Sequence, residues 1–411
     1  MKFFKYKWLL LILIGFLLTR IYILKNPPCC YSDVKHDYER YANMWYYGLP
    51  PYLKHLYEYP PATIPLLFLP LWFDQHGLGK YYLNYRLGIF LIDTILFLFI
   101  LKFWERFPQK KLLKILSLLF YLISPMVAKD FFYEGIDLAF VAPLTIALMM
   151  LFLYSQKKIL SRTVFWALFW LAGAIKFMSL PLLVPFFYLK NLSFKKEIMV
   201  LILGFLLIWG LPLAIFRSSL SVSFVFHAKR PFKYASLPAY LVETVDRFTH
   251  TETRVNQPPD FQLEGPISEK VTQVFGLLFL LSIVLVIFYA LKKILTEQID
   301  PFVFATKITL IFFLTIFLTG KIFSQPFHIW YLPLITIFPF SKVRQQLIFM
   351  LLALWLLIVD TTPWIRINEN AIFWAPLTWK FVTYFFRFLP MFILLILSFK
   401  LPNKIELHNR R

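Results

Sequence analysis

The chain has 411 residues, 59% of them hydrophobic and 16% charged, against about 25% charged in an ordinary soluble domain. With 48 Phe, that composition excludes a soluble globular protein and predicts a polytopic membrane protein. Lys and Arg outnumber Asp and Glu by 43 to 22, a net charge of +21. No basic stripe or nucleic-acid motif accompanies the excess. It therefore reads as loops facing an anionic membrane leaflet, and nucleic acid is excluded as a partner.

The first apolar run covers 8–24. No small-residue cleavage site follows it, so it reads as an uncleaved signal anchor. Cys29 and Cys30 are the two cysteines of the chain. They are adjacent, a bridge between them would be strained, and they read as two free thiols near the membrane surface. A first outer loop then runs from about 25 to 80 and opens with "YSDVKHDYERYANMWYYGLPPYLKHLYEYPP". Asp33 and Asp37 are spaced i, i+4, so a helix over 32–47 carries both carboxylates on one face. Tyr38, Tyr41, Trp45 and Tyr46 suit a helix lying at headgroup depth. Two close acids can separate their pKa values, leaving the ionised one as a general base. The plainer alternative is a solvated helix whose acids complement its N-terminal dipole. Gly48 and Pro50–Pro51 end the helix. "EYPP" at 58–61 forces extended chain before Pro60 and holds Glu58 in a turn. The segment 62–73, "ATIPLLFLPLWF", is too short to cross and reads as interfacial.

Eleven further apolar runs follow at 81–101, 112–128, 136–154, 163–177, 178–189, 198–216, 273–291, 302–319, 329–340, 347–359 and 376–399, for about twelve transmembrane helices. The pair 163–177 and 178–189 holds Lys176 at its middle, with Pro181 and Pro185 behind it. It reads as broken or re-entrant, lining a cavity. A lysine in such a run is costly unless it is used. The segments on the N-terminal side of these spans are short and carry 22 of the 43 Lys and Arg. The opposite side carries fewer in more than twice the length, so both termini are expected in the cytoplasm. The outer side then owns the loop at about 25–80, a second large loop at about 217–272 containing "FVFHAKRPFKYASLPAY", and shorter loops "KDFFYEGID", "GKIFSQPFHIW" and "DTTPWIRINENAIFW". Neither a repeat nor a separate soluble domain stands out, so residues 1–411 are expected to form a single integral membrane domain. There is no Gly-rich phosphate loop, zinc spacing or Gly-x-Ser-x-Gly elbow. The polar clusters crowd one face, whereas a carrier working by alternating access places them near the midplane.

"SDVKHDYERYANMWYYGLPPYLKHLYEYPPATIPLLFLP" resembles the first outer loop of the GT-C membrane glycosyltransferases. It is most similar to the polyprenyl-phosphate-mannose-dependent mannosyltransferases of bacteria and their eukaryotic relatives in glycolipid-anchor assembly. Members read roughly as Asp, a Tyr four residues on, then Gly-x-x-Pro-Tyr and Glu-Tyr-Pro-Pro. "FFYEGIDLAFVAPLTIAL" is similar to the family's Gly-x-x-Asp at the head of a span, and "GAIKFMSLPLLVPFF" to its Lys-x-x-Pro segment. "GKIFSQPFHIWYLPLI" is similar to its Lys-Val-x-Ser-x-Gln-Tyr-x-x-Trp signature, and "FHAKRPFKYAS" to a loop with His and Arg. The matches spread from about residue 33 to 333. The spacing to Tyr41 favours Asp37 and the distance back from Gly48 favours Asp33. Phe327 stands where the family has Tyr.

The resemblance implies an all-α, polytopic GT-C-type membrane protein, multi-pass in the cell membrane, with interfacial helices in its first outer loop. It implies transfer of a sugar, mannose, from a polyprenyl-phosphate donor to a lipid-linked, glycolipid or glycan acceptor of the cell envelope, on the extracytoplasmic face. Asp33 or Asp37 would be the catalytic base. Lys176, His227, Arg230 and Lys321 would bind the donor phosphate, Arg bidentately and Lys as a point charge. Lys229 is read with Arg230 as a solvated pair or a further phosphate ligand. Glu58, Tyr59, Asp137, Ser324 and Gln325 would bind substrate. No cofactor is fixed by these residues, although acids at Asp33, Asp37, Glu58 and Asp137 could hold a divalent cation. The rival class is a transporter or flippase for a lipid-linked saccharide, and a third is an assembly partner with a dead site. A flippase would tolerate loss of the two carboxylates.

Overall fold

The computed structural model describes residues 2–28, 32–154, 157–189, 192–229, 236–249, 253–257, 260–361 and 377–404. Cys29, Cys30, Arg230 and most of the stretch 360–374 lie outside them. The described chain is almost entirely helical. Six helical stretches are long and apolar enough to cross a membrane: Trp8–Lys25, Tyr81–Arg106, Phe194–Ala228, Pro266–Thr296, Pro301–Thr319 and Val343–Thr361. The runs at 136–154, 163–177 and 178–189 fold as shorter apolar helices, Asp137–Leu153, Ile159–Ile175 and Phe177–Tyr188. The run at 329–340 is broken into a 3₁₀ turn, Gln325–Trp330, and one short helix, Leu332–Ile337, because prolines 326, 333 and 339 interrupt the hydrogen-bond ladder.

The chain divides into two compact units. The first comprises Met1–Leu180, Lys190–Ala228 and Ile335–Val343. It contains α1 (Lys2–Lys25), a loop helix formed by a π turn (Val34–Tyr38) running into α2 (Glu39–Tyr46), α3 (Thr63–Gln75), α4 (Tyr81–Arg106), α5 (Lys111–Val127), α6 (Asp137–Leu153), α7 (Ile159–Ile175) and α9 (Phe194–Phe216). Its core is α6, "DLAFVAPLTIALMMLFL", apolar on every face and buried along nearly its whole length, as expected of a helix hydrophobic all round. α6 packs on α4 and α7, α7 on α9, α1 on α5, and α3 on α4 and α2. α3 is the segment expected to be interfacial. At ~1.5 Å per residue its length is about 20 Å, short of a ~30 Å hydrocarbon core.

The second unit comprises Pro181–Leu189, Lys229–Leu334 and Arg344–Arg411. It contains α8 (Leu183–Tyr188), α11 (Leu237–Thr249), α12 (Pro266–Thr296), α13 (Pro301–Thr319), α15 (Val343–Thr361) and α16 (Leu377–Phe399). The linking helices α10 (Ser221–Lys229) and α14 (Leu332–Ile337) fall at the boundaries of the two units. α13 is the core here and is buried from Phe302 to Leu318. Pro301 starts it and Asp300 caps it, accepting from Val303 N at 3.0 Å, a favourable helix start. α13 packs on α12 and α16. The fully buried Lys307 donates to Leu401 O at 2.6 Å and Asn403 Oδ1 at 2.8 Å, so the chain beyond α16 is fastened to α13. The loop at 217–272 holds a departure from the all-helical expectation, an antiparallel hairpin of β1 (Thr253–Gln257) and β2 (Asp260–Glu264), in register from Thr253↔Glu264 to Gln257↔Asp260. The sequence there was read only as loop, because two five-residue strands give little alternation to recognise.

Candidate functional site

The helix expected over 32–47 exists, but its first turn is wider than an α-helix. Val34–Tyr38 form a π turn that runs directly into α2. Single π turns are rare and concentrate at functional sites. The helix ends as the sequence indicates: Gly48 adopts φ +84°, and its N–H bonds to Trp45 O at 3.1 Å while Leu49 N bonds to Met44 O at 2.9 Å. A side chain is strained at that φ, which favours glycine.

The two aspartates, of which the distance from Gly48 favours Asp33 as the base, stand in different surroundings. Asp37 is buried, and its Oδ1 lies 3.2 Å from Nη2 of the exposed Arg40. Asp33 is half-buried at the start of the π turn. Its negative charge acts on Tyr38 and on Tyr59. Burial pushes both phenols well above the usual tyrosine range. For Tyr38 the charges of Asp33 and Asp137 add to the burial, and a hydrogen bond with Tyr59 opposes it. For Tyr59 the charge of Glu58 comes next after burial, ahead of Tyr38 and Asp33. Tyr41 is pushed up to about 12, first by burial and then by Glu58. Asp33 thus bears on both phenols, Asp137 on Tyr38 and Glu58 on Tyr59, and the ring centroids of Tyr38 and Tyr59 lie 5.7 Å apart.

The "EYPP" turn is fixed on both sides. Tyr52 Oη donates to Tyr59 O at 2.5 Å. Tyr57 Oη and Thr63 Oγ1 are 2.7 Å apart. Ala62 N bonds to Ala174 O at 2.9 Å, which joins the turn to the last residues of α7. Lys176 follows in extended conformation, φ −144° and ψ 126°, so the break expected near Lys176 is present. Its Nζ reaches Asp137 Oδ1 at 2.5 Å. Asp137 is the first residue of α6, where the positive end of the helix favours a carboxylate. Sequence reading gave these two residues separate tasks; the fold makes them an ion pair. Gly135 lets this corner close. A Cβ there would sit 3.0 Å from Asp137 Oδ2 and 3.9 Å from Tyr38 Oη.

His227 is half-buried on α10, with its ring 5.5 Å from that of Phe226. In the second unit Lys321, Ser324 and Gln325 are half-buried in the turn between α13 and the 3₁₀ turn. Phe327, in place of the expected Tyr, stacks on Trp330 at 4.4 Å. Arg230 lies outside the described residues. Among the described residues no group of three or more His, Cys, Asp or Glu is disposed to hold a metal ion.

Sequence reasoning missed the buried polar networks behind the loop. Arg20 of α1 bonds to Asp93 of α4 at 2.8 Å, and Asp93 also accepts from Tyr121 at 2.6 Å and Tyr133 at 2.7 Å. Arg162 and Trp166 of α7 share Glu197 of α9 at 2.6 and 2.8 Å. In the second unit Asp360 of α15 contacts His328 Nε2 and accepts from Arg387 Nε at 2.6 Å, and Tyr331 Oη lies 2.7 Å from His328 Nδ1. A usable signal was present, since ionisable residues inside apolar runs are rare and always paired or used. That rule was applied to Lys176 and not to Arg20, Arg86, Asp93 or Arg387.

Chemically, the first unit offers a half-exposed carboxylate beside protonated phenols, with a lysine held by a second carboxylate. This suits proton removal from a hydroxyl next to a group that gains negative charge. No protein-family model matches the chain, and no curated protein matches it. Among solved structures, the crystal structure of ArnT from Cupriavidus metallidurans bound to undecaprenyl phosphate is similar over 97% of this chain and 78% of that one, with a TM-score of 0.48 and 10% identity.

Proposed function

We propose that the chain is a membrane glycosyltransferase of the GT-C type. It moves mannose from a polyprenyl phosphate to a lipid-linked or cell-envelope acceptor on the extracytoplasmic face. The observation that carries the reading is the grouping of Asp33, Glu58 and the Asp137–Lys176 pair around the Tyr38–Tyr59 phenols, behind an apolar membrane-spanning bundle. A polyprenyl donor keeps its tail in the bilayer and its sugar phosphate at the surface, where an interfacial first loop meets it.

In this mechanism Asp33 takes the proton of the acceptor hydroxyl. The acceptor oxygen bonds to the anomeric carbon from the face opposite the phosphate. The bond from that carbon to the phosphate oxygen breaks, and polyprenyl phosphate leaves with the electron pair. One displacement inverts the anomeric centre. Asp33 is assigned over Asp37 because its distance back from Gly48 matches the family and its charge bears on both Tyr38 and Tyr59. Tyr38 and Tyr59, protonated at all working pH values, act as hydrogen-bond donors and not as bases. Glu58 and Tyr59 hold the acceptor. Lys176 lends its charge to the leaving phosphate, which gains negative charge in the transition state. Arg230, His227, Lys321, Ser324 and Gln325 enter the proposal through their chemistry alone, as phosphate and sugar ligands.

The test is transfer by purified protein in nanodiscs, supplied with labelled polyprenyl-phosphate mannose and other polyprenyl-phosphate sugars, with candidate acceptors. Transfer by the wild type and its loss in Asp33→Asn is the expected result. If no sugar is transferred while a lipid-linked saccharide crosses proteoliposome membranes at equal rates with and without Asp33, the transporter reading replaces this one.

A further inference from the structure

Glu134 lies three residues before Asp137, in the turn leading into α6, and is buried. The reaction just described gives it no task. Its two carboxylate oxygens nevertheless have different partners. Oε2 accepts from Ser32 Oγ at 2.5 Å. Oε1 accepts from Tyr82 Oη of α4 at 2.8 Å. Arg86 Nε of α4 sits 3.0 Å from Oε1 as a charge contact, off the line of a hydrogen bond. The other end of the Arg86 guanidinium donates to Leu24 O at 2.9 Å and Ile23 O at 2.8 Å. These carbonyls belong to the last turn of α1, where Ile23 O also accepts from Asn26 N at 3.2 Å.

Ser32 is itself buried and immediately precedes Asp33. Its carbonyl accepts from Lys35 N at 3.1 Å and His36 N at 3.2 Å, so the residue that Glu134 grips also closes the first turn of the loop helix. The Ser32 hydroxyl, held by Glu134, thus ties the residue before Asp33 to the turn leading into α6.

We infer that Glu134 is a positioning residue, which sets the Asp33 carboxylate through the Ser32 hydroxyl while Arg86 and Tyr82 hold Glu134 in place. The inference rests on the glycosyltransferase reading. It adds a dependence of the rate on a hydroxyl that touches neither donor nor acceptor. A base displaced by a fraction of an ångström loses rate without losing affinity.

The experiment compares wild type, Ser32→Ala, Ser32→Thr, Glu134→Gln and the Ser32→Ala/Glu134→Gln double variant in the nanodisc assay, with Asp33→Asn alongside. Ser32→Ala should lower kcat by about ten- to a hundredfold and leave KM for the polyprenyl-phosphate sugar within about twofold. Ser32→Thr, which keeps the hydroxyl, should retain most of the rate. The double variant should lose less than the product of the two single losses, since both changes act on one link. Wild-type kcat in Ser32→Ala, equal losses in the Ala and Thr variants, or losses that multiply in the double variant each overturn the inference. Should Glu134→Gln fail to fold, the Ser32 pair decides alone. If the wild type transfers nothing, the function reading fails; if it transfers and Asp33→Asn is inactive while Ser32→Ala is normal, only the positioning role fails.

Discussion

At the scale of single residues, Asp33 is the most exposed claim. A general base contributes about 10²–10⁴-fold. Asp33→Asn should therefore lower kcat at least about a hundredfold, and Asp37→Asn, which removes a carboxylate outside the assigned role, should cost less. Transfer rates measured beside thermal stability check this, and a reversed order would move the base to Asp37. The same cluster predicts the pH profile. Burial raises the phenols of Tyr38, Tyr59 and Tyr41, so they stay protonated beyond the usual tyrosine range near pH 10. Deprotonation of these phenols should therefore cause no fall in rate up to about pH 10. A fall near neutrality that disappears in Tyr38→Phe would contradict the assignment. Gly135→Ala places a Cβ 3.0 Å from Asp137 Oδ2. It should weaken transfer several-fold in folded protein, and unchanged transfer would show that the corner can relax. At this scale the sequence told much. Lys176 was legible as a charge inside an apolar run, the two aspartates as an i, i+4 pair, and Glu58, Tyr59 and Asp137 through the family resemblance. Their partners were not, because neither spacing nor composition says that Lys176 and Asp137, 39 residues apart, meet across the starts of two segments.

At the scale of elements, helix ends were read better than helix interiors. Gly48 and the break at Lys176 are marked by residues with a stereochemical reason to be there. The π turn at Val34–Tyr38 carries no such mark, and its residues would serve an α-helix equally well. The hairpin at 253–264 and the broken run at 329–340 were missed because each is shorter than the window over which periodicity speaks. The contact of Asp360 with His328 and Arg387 links α15, α16 and the 3₁₀ turn carrying Gln325. Removing one member of a buried pair strands the others and costs about 3–5 kcal/mol. Asp360→Ala should therefore lower the thermal midpoint in detergent well below that of Asp360→Met/Arg387→Met, which removes both charges. Equal midpoints would mean that the network adds little to the stability of this unit.

At the scale of the whole chain, sidedness is the main expectation that sequence supplies. The excess of Lys and Arg in the short N-terminal-side segments predicts that Asp33, His227 and Gln325 face outward and that Lys111 and Lys342 face the cytoplasm. Single cysteines at these positions, with Cys29 and Cys30 replaced, should label from outside at the first three and only after permeabilisation at the other two. Labelling at 111 but not at 227 would invert the topology.

Arg20 carries a consequence for how the chain is made. Its counter-ion Asp93 lies 73 residues further along, and Tyr121 and Tyr133 later still. When α1 leaves the ribosome it thus enters the membrane with a cation whose partner has not been synthesised. Such a charge opposes insertion by about 2.5–3.5 kcal/mol at a helix centre and less toward the ends. The remaining 17-residue stretch of Trp8–Lys25, all apolar or weakly polar apart from its terminal Lys25, must outweigh it unaided. Nascent chains truncated before α4 should therefore insert α1 less completely than the same chains carrying Arg20→Leu. In full-length chains the order should reverse, with Arg20→Leu leaving Asp93 stranded and the assembled protein short-lived. Glycosylation-site mapping of the two chain lengths, with pulse-chase of the full-length pair, would read both halves. Equal insertion of the truncated chains would show that the translocon shelters the charge until α4 arrives.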